Sequence, residues 1–284
     1  MAHFDQKKAY AKQEDTFFDD GREIELLHYV YNRPDVDELR GSPEKILAVI
    51  DDYARTKKYL MNVGEDKGKI VTDLIEEVKP STMVELGGYV GYSTLLFGSS
   101  VRKVGGARYW SLERNPEFAA VITSLIDLAG LSDIVKVVVG PSDASLRRLH
   151  KDGALAKIDL MFLDHYKPAY TTDLKLCEEL KLVGPGSVLA ADNVIKPGNP
   201  PYLAYVRSSV AEKRAALSDG GAATAEAFSE RTAKQYAKRQ GEEHLDGEVK
   251  GDPGLVYQSV LVNSWEPSGV PDGVEITRCV GKEE

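Results

Sequence analysis

The stretch Met83-Val84-Glu85-Leu86-Gly87-Gly88-Tyr89-Val90-Gly91-Tyr92-Ser93 decides the fold. A short apolar run ends in an acid, passes through a glycine-rich turn and enters a segment able to form a helix. Glycines at such a turn open backbone conformations closed to other residues and let a ligand approach the main chain. In an open parallel sheet this place is the carboxyl end of a strand, where nucleotide-like ligands settle beside a helix N-terminus. The glycines follow G-G-x-x-G rather than G-x-G-x-x-G, and Glu85 stands just before them. An acid at the mouth of the loop repels a pyrophosphate and suits a sulfonium or ammonium group, which points to S-adenosylmethionine over NAD. An ordinary strand-to-helix turn of any α/β protein accounts for this stretch equally well.

Outward from the loop, strand and helix signals alternate. Apolar strand-like runs lie at Thr82–Leu86, Arg108–Leu112, Val135–Val139, Ile158–Leu163 and Ser187–Ala191. Helix signals fall between them at Ser93–Gly98, Pro116–Ala129, Ala144–His150 and Thr172–Leu180. Asn115-Pro116 opens one helix, Gly130 follows its last turn, and Gly184-Pro185-Gly186 precedes a strand. Runs apolar on both faces and separated by helices predict a doubly wound α/β domain with a mostly parallel sheet. Tyr257–Val262 and Val274–Val280 flank a Pro/Gly turn and predict an antiparallel closing hairpin. Ahead of the sheet, Ser42-Pro43-Glu44 starts a helix whose buried face is Ile46, Val49, Ile50 and Tyr53. Residues 1–20 are expected to be a loose arm and 21–284 one domain. The span from 211 to about 253 is rich in Ala, Lys, Glu, Gly and Ser and is expected to be a polar surface insertion.

The bulk numbers exclude several classes. A formal net charge of −9 argues against a broad phosphate-binding surface, so nucleic acid is not an expected partner. The two cysteines, Cys177 and Cys279, lack metal-ligand spacing, which excludes a zinc module or a disulfide scaffold. With no apolar run of membrane-spanning length and no signal-like N-terminus, a cytoplasmic protein without a membrane partner is expected, and a monomer.

Two acids occupy equivalent places. Asp164 follows the run Ile158–Leu163, and Asp192-Asn193 follows Ser187–Ala191. If these strands are adjacent and parallel, their ends lie about 5 Å apart. Two carboxylates and an amide oxygen then converge on one point, as an octahedral Mg²⁺ site completed by water and substrate requires. Acids at strand ends also cap helices, but the pair with Asn193 beside it fits the metal better. Lys167 stands three residues beyond Asp164. Near a divalent cation in a partly dry site it can accept a proton; alone it reads as a solvated side chain. Glu113, ending the second strand, suits ribose hydroxyls or a helix cap before Pro116. Gly140-Pro141-Ser142-Asp143 would then face an adenine.

With these motifs in view, the sequence resembles the catechol O-methyltransferase family. The residues that carry the resemblance are Met61-Asn62-Val63-Gly64, Val84–Gly87, Gly91-Tyr92-Ser93, Glu113 with Asn115-Pro116, Phe162–His165, Lys167, Ala191–Ile195 and Pro197-Gly198. It spans roughly 23–207 and resumes near Tyr257. The resemblance implies a Rossmann-like class I methyltransferase sheet, S-adenosylmethionine and Mg²⁺, with a catechol or related small phenol as acceptor. It implies Mg²⁺ on Asp164, Asp192 and Asn193, Lys167 as the base, and Glu113 on the cofactor ribose. Val63, Glu85, Gly87, Tyr89, Ser93, Ser142 and Asp143 fall at cofactor positions, as do Arg114, Asp164, His165 and Tyr166. Acceptor contacts are expected from Tyr59, Met61, Lys167, Asn193, Pro197 and Glu266. There are departures: Tyr166 and Tyr59 stand where the family has tryptophans, and Arg114 replaces an apolar residue. The acid expected to hold the second catechol oxygen falls at Val262-Asn263, leaving Glu266 as the nearest candidate. Rival readings are a cation-dependent methyltransferase for another vicinal diol or phenol, a NAD-dependent oxidoreductase, and a non-catalytic cofactor-binding scaffold.

Overall fold

Five parallel strands carry the fold: β1 (Thr82–Leu86), β2 (Arg108–Glu113), β3 (Val135–Val139), β4 (Leu160–Leu163) and β5 (Val188–Ala191). Two long antiparallel strands, β6 (Leu255–Trp265) and β7 (Pro271–Lys282), complete a sheet of order β3-β2-β1-β4-β5-β7-β6. The computed structural model describes residues 3–218, 228, 245 and 247–284. Because β1 pairs with both β2 and β4, the strand order reverses there, and a crevice opens at the carboxyl ends of these strands.

The helices are α1 (Arg22–Tyr31), α2 (Val36–Leu39), α3 (Pro43–Thr56), α4 (Gly64–Val78), α5 (Tyr92–Lys103), α6 (Pro116–Leu128), α7 (Ser142–Lys151), α8 (Tyr170–Glu179), α9 (Pro200–Arg207) and α10 (Val210–Ser218). They cover both faces of the sheet, as the doubly apolar strands require. On β4 every side chain is buried, but successive residues serve different layers. Phe162 packs edge-on to Phe97 of α5, with ring centroids 5.0 Å apart. Met161 and Leu163 join the opposite layer with Leu146, Leu174 and Tyr202 from α7, α8 and α9. Asn115 caps α6 by accepting the Glu117 amide at 2.9 Å, and Ser42 caps α3 ahead of Pro43.

The structure extends several expected elements. α5 continues past Gly98 to Lys103 because the missing side chain is a packing device, not a stop: a Cβ there would lie 2.7 Å from Val135 of β3. β6 and β7 run longer than the apolar pattern indicates, since β6 lies at the sheet edge and carries exposed Gln258 and Asn263.

Two expectations about the ends of the domain are corrected. Residues 1–20 are not a loose arm where they are described. Tyr10 is buried, donates to Asp51 at 2.5 Å, and its amide reaches the Pro267 carbonyl at 2.9 Å. The 211–253 span is not an excursion along its whole length. Lys213 of α10 is buried, donates to the Leu255 carbonyl, and lies over the rings of Tyr205 and Tyr257. At the other end Val249 is buried, and the amides of Gly251 and Asp252 bond the carboxylates of Glu179 and Glu178. The middle of the span lies outside the described residues. Lys213→Ala and Val249→Ala are therefore each expected to lower the melting temperature, since burial of a single valine side chain already contributes about 1.5–3 kcal/mol. Thermal melts of the two variants check this; stability equal to wild type would show that the packed ends contribute nothing.

Candidate active site

One cavity of about 1910 Å³ opens at the carboxyl ends of β1, β2, β4 and β5. Its floor is the turn after β1. Gly87 has φ +88°, and a Cβ there would meet the Asp164 carbonyl at 2.7 Å, so only glycine lets this turn lie against the end of β4. The turn amides of Gly88 and Tyr89 donate to Glu113 at 3.1 and 2.9 Å, and Asn115 donates to its other oxygen at 2.8 Å. Burial raises the Glu113 carboxyl above its usual range, with these amides working the other way. Since Asn115 caps α6, Glu113 is not the helix cap; it holds the turn and faces the cavity.

A second knot lies where an adenine was expected. Asp173 of α8, which is buried, accepts from Ser142 at 2.5 Å and contacts His165 Nε2 at 2.8 Å. The His165 ring stacks on Tyr170 with centroids 4.9 Å apart and planes within 12°. Three elements are thereby gathered on one wall by a carboxylate that the sequence reading did not single out.

The charged wall forms at β4 and β5, which are adjacent, parallel and in register from Leu163 to Ala191. Lys167 is buried and donates to Asp164 at 2.9 Å and to the Tyr170 hydroxyl at 2.8 Å. Asn193 sits at φ +57°; its amide group donates to Glu266 at 2.6 Å and to Asp272 at 3.0 Å. Beneath them lies Lys67 of α4, fully buried. Its ammonium contacts Asp192 at 2.7 and 2.8 Å, Glu266 at 2.7 Å and Asp272 at 3.1 Å. Burial opposes the charge on Lys67, but the three carboxylates outweigh it and hold its pKa well above the usual lysine value. Burial pushes Asp192 and Glu266 up, neighbouring carboxylates add to this, and Lys67 offsets part of it. Among the described residues no group of three His, Cys, Asp or Glu side chains is arranged to hold a metal; the candidate trio has two carboxylates and an amide.

Of the residues expected at the site, Val63, Gly87, Tyr89, Ser93, Glu113, Arg114, Ser142 and Asp143 line this cavity. So do Tyr59, Met61, Asp164, His165, Tyr166, Lys167, Asp192, Asn193, Pro197 and Glu266. Glu85 is the exception. It is fully buried behind the glycine turn, accepting from Thr94 at 2.6 Å and Ser111 at 2.8 Å, so it does not meet a cationic ligand at the loop mouth. The side chain of the last-but-one β1 residue points into the layer between β1, β2 and α5, one residue too early to face the crevice. Lys67 escaped the sequence reading, yet a signal was present: it precedes Val71, Leu74 and Ile75 on the apolar face of α4, where an unpaired lysine has no place.

Residues 43–201 match the family model described as O-methyltransferase, and the chain belongs to that family. Catechol O-methyltransferases of Mus musculus and Bos taurus are 43% and 42% identical to it over 169 residues, 60% of this chain. Those matches cover 63% and 61% of the relatives' own lengths, less than two thirds. An O-methyltransferase from Bacillus cereus, solved in complex with SAH, superposes with a TM-score of 0.56 at 19% identity, covering 89% of this chain and 99% of that one. The fold is that of a Rossmann-like class I methyltransferase.

Burial raises the Glu85 pKa to about 7, against the surrounding hydroxyls of Ser93, Thr94, Ser111 and Tyr109. A carboxyl whose folded pKa lies above its unfolded value of 4.5 gives stability that is full below pH 4.5 and is lost as pH rises toward 7. Glu85→Gln is expected to flatten the stability profile across that window, by roughly 3 kcal/mol at most. Chemical denaturation at pH 4.5, 6 and 7.5 checks it; parallel profiles for mutant and wild type would place the titration elsewhere.

Proposed function

We propose that this protein transfers the methyl group of S-adenosylmethionine to one hydroxyl of a catechol-type small molecule, with Mg²⁺ bound at the charged wall. The observation that carries the reading is the convergence of Lys167, Asp164, Asp192, Asn193 and Glu266 on the cavity beside the Gly87 turn. The protein would act as a cytoplasmic monomer on a small phenol, without nucleic-acid or membrane partners. The net charge of −9 supports the exclusion of nucleic acid. Among the described residues no helix is long and apolar enough to cross a membrane.

The residues fit a divalent cation. Asp164, Asp192, Glu266 and Asp272 gather at one wall, and among the described residues Lys67 and Lys167 are the cationic groups paired with them, leaving an excess of carboxylate. Burial is the main push raising Asp192 and Glu266, and the neighbouring carboxylates add to it. Asp164, Asp192 and the Asn193 amide oxygen would hold the ion, as oxygen donors suited to Mg²⁺. Bound there, it would supply positive charge that acidifies a phenol and fixes its orientation. S-adenosylmethionine supplies an electrophilic methyl on a sulfonium.

The chain's own groups do the rest. The Gly87–Tyr89 turn and Glu113 form the ribose side, and Ser142 and His165, locked by Asp173, form the adenine side. Lys167 would take the hydroxyl proton on the lone pair of its neutral amine at Nζ, while its two N–H groups keep Asp164 and the Tyr170 hydroxyl. The acceptor oxygen then bonds the methyl carbon as the carbon–sulfur bond breaks, leaving a neutral thioether. Glu266 reaches the cavity from the turn after β6 and takes the place of the acid absent at Val262, accepting a hydrogen bond from the acceptor's second hydroxyl. That relocation also favours a second reading, a cation-dependent methyltransferase for another vicinal diol or phenol.

Methyl transfer to a catechol panel, with and without Mg²⁺, tests the proposal; NAD reduction without methyl transfer would overturn it. Asp164→Ala is expected to abolish Mg²⁺-dependent transfer while SAH still binds, more weakly. Lys167→Met is expected to lower kcat about 10²-fold, the usual scale for a lost general base, and less with an acidic nitrocatechol. An equal drop for acidic and ordinary catechols would make Lys167 a positioning residue only. Glu266→Gln is expected to weaken acceptor affinity by one to two decades, from loss of about 1.5–3 kcal/mol of charge-assisted hydrogen bonding. Unchanged affinity would mean that another group holds the second hydroxyl.

A further inference from the structure

The matched family region begins at residue 43, and the chain ahead of it reaches back over the cavity. Phe4 packs on the turn between β6 and β7: its ring centroid is 6.1 Å from that of Trp265, and a Cβ on Gly269 would lie 2.9 Å from it. Tyr10 bonds the same turn through the Pro267 carbonyl and α3 through Asp51. One end of this stretch is therefore tied to the turn that delivers Glu266. The other end is gripped by Arg22, which is 1% exposed. Its guanidinium donates to Glu14 at 3.1 Å, to the Thr16 carbonyl at 2.9 Å and to Asp20 at 2.8 and 2.9 Å. The same group donates to the Tyr59 carbonyl at 2.6 Å. Between the two anchors Phe17 lines the cavity and meets Tyr59 edge-on, with centroids 6.1 Å apart and planes at 73°.

We infer that residues 4–20 form a strap completing the acceptor side of the cavity, with Phe17 as the wall that limits ring substituents on the acceptor. Arg22 is the positioning residue that locks Phe17 and Tyr59 in one arrangement. The inference rests on the methyl-transfer reading above. An aromatic edge held by five guanidinium hydrogen bonds is a stiff wall. It favours a flat ring packed against it and leaves little room for a branched substituent. The acceptors it selects are catechols with small substituents. The strap also approaches Tyr89, since Glu23 accepts both the Asp19 amide and the Tyr89 hydroxyl at 2.9 Å. A role in closing over the cofactor is thus the rival that the test must separate.

The experiment compares catechol with 4-tert-butylcatechol as acceptors for wild type, Phe17→Ala, Phe17→Leu and Arg22→Lys, with SAH affinity measured by calorimetry. Phe17→Ala is expected to raise KM for catechol about tenfold, to leave kcat and SAH affinity within about twofold, and to lower the kcat/KM preference for catechol about tenfold. Phe17→Leu recovers most of that preference, and Arg22→Lys loses it with the ring still present. An unchanged preference in folded, SAH-binding Phe17→Ala, or a parallel loss of SAH affinity, overturns the strap as an acceptor wall. If Phe17→Ala does not fold, Arg22→Lys and Phe17→Leu decide by the same two readouts. A wild type that methylates neither catechol overturns the methyl-transfer reading and the strap with it, whereas an active wild type isolates the strap.

Discussion

The buried ammonium of Lys67 is the interaction on which the charged half of this molecule depends. It touches the end of β5 through Asp192, the hairpin turn through Glu266 and the start of β7 through Asp272. The end of β5 and the β6–β7 hairpin, far apart in sequence, are thereby fixed to α4. A lysine without these partners would not remain charged at zero exposure, and these carboxylates without the lysine would repel one another in a dry site. Breaking such a buried set by removing one partner typically costs about 3–5 kcal/mol, far more than its formation contributes over an apolar replacement. The cluster is therefore better understood as a device for placing Asp192, Asn193 and Glu266 than as a source of stability.

The same arrangement shows how the proposed cation site could coexist with a lysine. Lys67 approaches Asp192 from the α4 side, while Asn193 turns its amide group toward Glu266 and Asp272. An amide committed through nitrogen leaves its oxygen for another partner. Asp164 is engaged by Lys167 through one oxygen. Asp164 and Asn193 each keep an oxygen outside these bonds, whereas both oxygens of Asp192 lie on the Lys67 ammonium, at 2.7 and 2.8 Å. Burial alone cannot produce this; it needs the left-handed conformation of Asn193, which lets consecutive residues Asp192 and Asn193 serve the same wall.

Most of the fold was legible because the sheet is doubly covered. Strands such as Leu160–Leu163 read as unbroken apolar runs, and their punctuation by Gly, Pro and Asn marked the helices. Legibility failed where a residue's role is set by distant packing. Gly98 reads as a helix stop and is a contact with β3; Glu85 reads as a loop acid and is a buried acceptor for Thr94 and Ser111. The arm failed for the opposite reason: residues 1–20 are polar and locally unpatterned, and the described part, from residue 3 on, is ordered by Arg22, Asp51 and the hairpin turn, none of which is near in sequence except Arg22. The site residues at strand ends were legible since strand ends in this topology are forced together. Lys67 and Asp173 were not, because helices deliver them from the side.

This division has a physical consequence for specificity. The parts proposed to face the cofactor, from the Gly87 turn to Asp173, lie within the matched region 43–201 and are braced by adjacent strands and helix starts. The proposed acceptor side draws on that region too, through Tyr59, Lys167 and Asn193, but it is completed from outside by the hairpin turn carrying Glu266 and by the strap carrying Phe17. An acid on a strand would be held by the ladder itself. An acid on a turn must be held by tertiary contacts, and Glu266 has Lys67, Asn193 and the bond from its own amide to Val270. The strap anchors that turn from the other side through Tyr10 and Phe4. Change in the arm or the hairpin can therefore alter the acceptor side without disturbing the methyl donor's side, because the two are built on separable supports.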